Sequence, residues 1–366
     1  MVAAVKGIDL NGKRLAICLG PGGVGKTTLS AAFALAAALR GRTVDVMTVD
    51  PAPRLIDALG LEGEATAPRL VALKGLDGKR GGRLRALKLE PKQTFDALVE
   101  RHAPTAAARD AILANRIYRN LSNALAGVAD YMAMERLLEL YRNNPAGLVV
   151  LDTPPAAEAI DFLDAPRRML DLLSSRALTL LAPRGMMRRP LAMIDLAARA
   201  VLKAFDRLTG LHLLADVQAF VRGFDGMYEG FAERAAAAQD LLRDERSFIV
   251  VVTTAERERV GQAADFVAAL NRLGFRIGAV AVNRLTMTLP ESVPKIFDSP
   301  IDRKLRRKLE RNLADHAALK AREAAAFDQL RECIPPGTPT IIAPDLGREP
   351  RTLADLAAIA ATMRFE

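Results

Sequence analysis

Short, almost wholly apolar runs recur along this chain, each closed by a glycine, a proline or a carboxylate, with apolar residues at helical spacing between them. Leu15-Ala16-Ile17-Cys18-Leu19 is the first run. A glycine-rich turn and an alanine-rich amphipathic stretch to Arg40 follow, so the order reads strand, loop, helix. Thr43 to Val49 alternates, is rich in β-branched residues and ends at Asp50-Pro51, which predicts a second strand. Leu84 to Glu90 reads as another strand stopped by Pro91, and residues 61–83 as a surface excursion rich in Gly, Lys and Arg. Leu148-Val149-Val150-Leu151-Asp152 is continuously apolar before its carboxylate, the signature of a central parallel strand.

Phe248 to Val252 and Ile277 to Val282 read as further buried strands with a helix, Glu256 to Leu273, between them. Thr338 to Ile342 predicts a last strand and Arg351 to Met363 a last helix. Helical patterning fills Lys92 to Arg142, residues 158–245 and residues 302–333. Strands alternating with helices predict an α/β fold, a mostly parallel sheet with helices on both faces and an inserted helical subdomain. The expected organisation is one domain over 1–366, its core at 13–91, 146–160, 246–295 and 335–366. Helical insertions are expected at about 92–145 and 161–245.

Composition narrows the class. Hydrophobic residues make up 50% and charged residues 26%, the balance of a globular enzyme. Cys18 and Cys333 are too few for a zinc cluster or a disulfide framework. The apolar run Leu29 to Leu39 is shorter than the ~20 residues of a membrane span. Charges at Lys6, Asp9, Lys13 and Arg14 interrupt any signal-peptide pattern, so a cytoplasmic, reduced protein is expected. The net charge of +9 permits an anionic partner without naming one.

Gly20-x4-Gly25-Lys26-Thr27 follows a predicted strand and precedes a predicted helix, which is the context a P-loop requires. Glycines let backbone amides curl around a polyanion, and the helix start adds its positive dipole end. Gly22, Gly23, Val24, Gly25, Lys26, Thr27 and Thr28 are therefore expected to cradle phosphates, Lys26 to reach the terminal ones and Thr27 to hold Mg²⁺. Asp152, ending its strand, is expected to bind a Mg²⁺-ligated water. Asp50 is a candidate to orient or deprotonate the attacking water, or a cap for the short helix that follows Pro51.

These motifs together carry a family resemblance. Gly22 to Thr28, then Thr48-Val49-Asp50-Pro51-Ala52, then Leu151-Asp152-Thr153-Pro154-Pro155 resemble the ArsA family of deviant-Walker P-loop ATPases. That family includes the arsenite-pump ATPase and the ATPase that targets tail-anchored membrane proteins. Val282-Asn283-Arg284 and Pro344-Asp345-Leu346 resemble its adenine-binding asparagine and its base-contacting loop. The resemblance implies a P-loop NTPase fold, ATP and Mg²⁺ as ligands, and Asp50 as the catalytic carboxylate of switch I. It places Asp152 to Pro155 at the start of switch II, Asn283 on adenine, and Pro344 and Asp345 against the base. It also implies a dimer that closes on ATP and opens after hydrolysis.

Departures from the family pattern limit what is inherited. Pro21 stands where the family has its signature lysine, which crosses the dimer interface to the partner's phosphates. Arg54 or Arg167 could supply charge instead, or a lysine-bearing paralogue could complete a heterodimer in which this chain is a poorly hydrolytic subunit. The zinc-bridging cysteines and an arsenite-binding cysteine triad are absent.

Met169, Met186, Met187 and Met193 lie in Leu-rich helical sequence that reads either as core or as a groove for a protein client. From Ala165 to Phe205 eight basic residues face two acidic ones, and Arg303 to Arg311 is a second basic stretch. Each reads as a solvated face or a peripheral membrane contact. Nucleic acid is not expected as a partner, since no aromatic residues interleave the basic ones. His102, His212 and His316 lack metal-ligand spacing.

Overall fold

The computed structural model describes residues 12–63, 65–73, 75–76, 81–116, 118, 126–154, 156–174, 224–290, 293, 297 and 301–365. At its centre, β1 (Leu15–Leu19) is buried along its whole length between β5 (Leu148–Asp152) and β6 (Ser247–Thr254), both parallel to it. A strand with neighbours on both sides and helices on both faces has no solvent face, so its sequence is continuously apolar. β2 (Thr43–Thr48), β4 (Arg83–Lys88), β7 (Ile277–Leu285) and β8 (Thr340–Pro344) extend the parallel sheet.

Two short antiparallel strands close its edges, β3 (Arg69–Leu70) and β9 (Arg364–Phe365), giving the order β3-β4-β2-β5-β1-β6-β7-β8-β9. The excursion expected at 61–83 therefore contains a strand. Two residues are too few to show periodicity, and β3 exists only through its pairing with β4.

Side-chain alternation assigns each face. Ala16 and Cys18 of β1, Val44 and Val46 of β2, and Val250 and Val252 of β6 share one apolar cluster with α1 (Lys26–Leu39), α2 (Arg54–Ala58) and α11 (Leu353–Thr362). α9 (Arg257–Arg272) packs on β6 and β7, and α10 (Arg303–Cys333) packs on α9. Inside β2, Asp45 is fully buried, and its charge is offset by a bidentate Arg85 at 2.6 and 2.7 Å and by the Asn144 amide at 3.0 Å.

The chain divides into two compact units. The sheet and its helices form one, over Met1–Lys88, Asn143–Ile160 and Arg243–Glu366. The other, Leu89–Arg142 with Asp161–Leu242, is helical in its described residues. It contains α3 (Pro91–His102), α4 (Ala106–Ala114), α5 (Ala126–Asn143), α7 (Ala165–Leu173) and α8 (Tyr228–Arg243), while α6 (Ala156–Leu163) runs across the division. Pro91 both follows the strand's end and opens α3, because its fixed φ suits a first helical position.

Phe95, Val99, Tyr118, Tyr131 and Phe231 centre the helical core, with Met169 packed at its margin. A buried ion pair crosses this core: Arg234 Nε lies 3.0 Å from both Glu135 oxygens, and Tyr131 Oη donates to Glu135 at 2.5 Å. Met186, Met187, Met193, His212 and most of the basic stretch 165–205 lie outside the described residues.

Candidate active site

Parallel strands end on one edge of the sheet, so the C-terminal ends of β1, β2, β5, β6 and β7 converge there. The chain leaves β1 toward β2 on one side and later adds β6 on the other, so β1 marks the switch point where α/β sheets bind ligands. Residues 20–25 form the loop at that point. α1 then begins with Gly25 as its cap, with no side-chain cap bond and no acidic residue in its first turn. Its leading N–H groups are thus left for an anion.

Two glycines are sterically required. A Cβ on Gly20 would sit 2.1 Å from the Val252 carbonyl oxygen of β6. Gly25 has φ +88°, and a Cβ there would lie 2.2 Å from Asn283 Nδ2. The obstacle at Gly20 is backbone in a central strand and cannot yield. Gly20→Ala is therefore expected to destabilise the protein by about 3 kcal/mol, read as a lowered urea midpoint; an unchanged midpoint would refute this close approach.

Lys26 is buried and curls back over the loop, donating from Nζ to the carbonyls of Gly20 and Pro21 at 3.0 Å each. Burial lowers its pKa, and the nearby carboxylates of Asp152 and then Asp50 oppose that shift. Gly22 and Gly23 are exposed, Val24 is buried, and Thr27 and Thr28 occupy the first turn of α1 half-buried.

Asp152 ends β5 with no exposed surface. Its oxygens accept hydroxyls from Thr48 at 2.9 Å and Ser30 at 3.3 Å, and Thr27 also bonds to it. Burial pushes its pKa up to about 6 against the pull of these hydroxyls and of Lys26. The same burial pushes the Cys18 thiol to about 12, so Cys18 is a packing residue of β1 rather than a thiolate.

Thr48 ties two candidate residues together. Its Oγ1 donates to Asp152 and accepts the Asp50 N–H at 3.1 Å, while Val49 N donates to the Asp152 carbonyl at 3.1 Å. Asp50 Oδ1 accepts Ala52 N at 2.9 Å, and Asp50 Oδ2 lies 3.9 Å from Arg54 Nη1. The cap of α2 is Pro53, so the capping role open to Asp50 in the sequence is not what its side chain does. It closes a turn one step earlier.

Asn283 is buried at the end of β7 and donates from Nδ2 to the Val24 carbonyl at 2.8 Å, bracing the loop from a neighbouring strand. Pro344 closes β8, and Asp345 spends Oδ1 on Gly347 N at 2.8 Å. Thr153 Oγ1 bonds to the Cys18 carbonyl at 2.7 Å. Arg167, in the helical unit, pairs along its own helix with Asp164 and Asp171 at 3.8 and 3.7 Å. Pro155 lies outside the described residues.

Sequence reasoning missed Ser30, Thr48 and the bracing role of Asn283. Ser30 had a signal: it lies four residues after Lys26 on the same helix face. The bridge at Thr48 depends on β2 and β5 being neighbours, which no local pattern encodes. Among the described residues, no group of three or more His, Cys, Asp or Glu side chains could hold a metal alone.

The model of the anion-transporting ATPase family matches residues 13–316. An uncharacterised protein of Streptomyces coelicolor is 28% identical over 285 residues, covering 77% of this chain and 64% of that protein, just under two thirds of it. The ATPase GET3 of Malassezia globosa is 23% identical over 285 residues, 78% of this chain and 76% of its own length. A protein of Aquifex aeolicus named for an arsenical pump-driving ATPase is 21% identical over 327 residues, 86% and 95% of the two chains. Asn283 falls inside the matched range, whereas Pro344 and Asp345 lie beyond it.

Proposed function

Because this chain belongs to the anion-transporting ATPase family, we propose that it is a Mg²⁺-dependent ATP hydrolase acting as a dimeric switch. The dimer closes on nucleotide and opens after hydrolysis to handle a protein client or partner. One observation carries the reading. A buried lysine, a buried carboxylate and an uncapped helix start meet at the sheet's switch point, the arrangement needed to bind and polarise a polyphosphate.

The residues suit a magnesium ion as well. The Thr27 hydroxyl and the Asp152 carboxylate are already hydrogen-bonded to each other, the pair that would hold the ion, Asp152 through water. Bound magnesium would neutralise charge on the phosphate oxygens. Lys26, released from the Gly20 and Pro21 carbonyls, binds the terminal phosphates. Asp50 holds Oδ1 in its turn and keeps Oδ2 to take a proton from the attacking water. Water oxygen then bonds to the γ-phosphorus, the bond to the bridging oxygen breaks, and ADP leaves. In this reading Asn283, which braces the loop through Val24, contacts adenine.

A second reading follows from Pro21, whose carbonyl accepts Lys26 and whose ring has no cation to offer a partner's site. In that reading the chain binds ATP, turns it over poorly, and relies on a lysine-bearing paralogue. Turnover of pure protein over a range of concentrations separates the two. Specific activity rising with concentration is expected for the homodimer. Tight ATP binding with negligible turnover at every concentration would move the assignment to the heterodimer.

A further inference from the structure

We propose that the N-terminal end of α10 docks on an acidic phospholipid surface. The proposal is independent of the nucleotide chemistry. Residues 303–313 hold six cations and one carboxylate, Glu310. Arg303, Lys304, Arg307, Lys308 and Arg311 are exposed, and none of their side chains makes a salt bridge or hydrogen bond among the described residues. At 100° per residue these five cover about 140° of the helix circumference and about 12 Å of its length.

Two features say that this stripe is more than a solvated face. It opposes its own helix dipole, since cations at a helix start are unfavourable and the local offset is small. The Asp302 carboxylate, just before the helix, caps the Lys304 and Leu305 N–H groups at 2.9 and 3.2 Å. The stripe is also bordered by an exposed apolar side chain, Leu305 at 49% exposed, three residues from Lys308 on the helix surface. On the side of the helix away from the cations lies a cleft of about 230 Å³, lined mainly by Leu289, Val293, Phe297, Leu309, Leu313 and His316.

A cationic arc edged by an exposed leucine is the amphipathic pattern of an interfacial helix. The cations all stand on one helix, and among the described residues no other element lines the surface they form, which suits a planar array of headgroups. A nucleic-acid surface would leave the apolar border unused and would call for stacking aromatics. No described helix is long and apolar enough to cross a membrane, so the contact is peripheral.

The test is sedimentation of the full chain with vesicles of phosphatidylcholine alone or with 30 mol% phosphatidylglycerol. Binding to the acidic vesicles only is expected, weakening as salt rises. Each removed cation should weaken it about five-fold, so Arg307→Ala/Lys308→Ala/Arg311→Ala should lose roughly a hundred-fold. Leu305→Ser, which leaves the charge alone, should also weaken vesicle binding. Far-UV circular dichroism and ATP turnover should be unchanged in both variants. Equal binding to neutral vesicles, no binding to acidic ones, or unchanged binding by the triple variant would overturn the proposal. Stripe-dependent binding to duplex DNA without vesicle binding would overturn it in favour of nucleic acid.

Discussion

Lys26→Ala is expected to lower ATP turnover by about 10³-fold, the scale for removing a preorganised cation from a phosphoryl-transfer site. The ammonium is buried, so its stem is already ordered and its charge acts in a medium of low polarity. In the structure it satisfies the Gly20 and Pro21 carbonyls, groups at the rim of the loop where phosphate would lie. Alanine removes the charge and leaves the fold's apolar layers untouched, because the Lys26 head bonds only to loop carbonyls. Steady-state phosphate release checks the prediction, with a denaturation curve to confirm that the variant folds. Turnover within ten-fold of wild type would remove Lys26 from the chemistry and with it the hydrolase reading.

Asp50→Asn should reduce kcat by about 10²–10⁴, the range for losing a general base, while ATP binding persists. The amide is the informative replacement. Its oxygen still accepts the Ala52 N–H, so the turn at the end of β2 survives, and the Thr48 bond to the Asp50 backbone is unaffected. Only the capacity to take a proton disappears. Nucleotide affinity by fluorescence, measured beside turnover, separates the two roles. A parallel fall in affinity and turnover would show that Asp50 acts by holding the loop instead.

Asp152 and Asp50 have different surroundings, which is why the proposed mechanism gives them different parts. Asp152 has no exposed surface and three hydroxyl donors, the setting of a fixed ligand. Asp50 is partly exposed, with the exposed Arg54 guanidinium 3.9 Å away, a setting open to water. Thr48 joins the Asp152 carboxylate to the Asp50 backbone through one hydroxyl.

Much of this was legible in the residues. The loop 20–25, the strand carrying Asp152 and the strand carrying Asp50 are local patterns: apolar runs ending at glycine or carboxylate. The parallel sheet follows from their alternation with helices, and α10 from an uninterrupted helical stretch between Asp302 and the Pro335 region. The edge strands were illegible, since two-residue pairings carry no periodicity. Asp45 was also illegible. An alternating strand predicts a wet polar face, yet this carboxylate is buried against Arg85 and Asn144, which come from a neighbouring strand and a distant turn.

The sequence by itself determined the candidate phosphate loop and its place between strand and helix, because glycine, lysine and threonine at fixed short spacing form a local pattern that needs no distant partner. Tertiary structure alone decided what holds that loop in shape. The Val252 carbonyl excludes a side chain at residue 20, the Asn283 amide fills the space beside Gly25, and the Thr48 hydroxyl joins Asp50 to Asp152. Each of these contacts spans scores of residues or crosses between strands. It comes into existence only when the strand order places β6, β7 and β5 around β1, and that order is set by packing helices on both faces of the sheet, which no local pattern specifies.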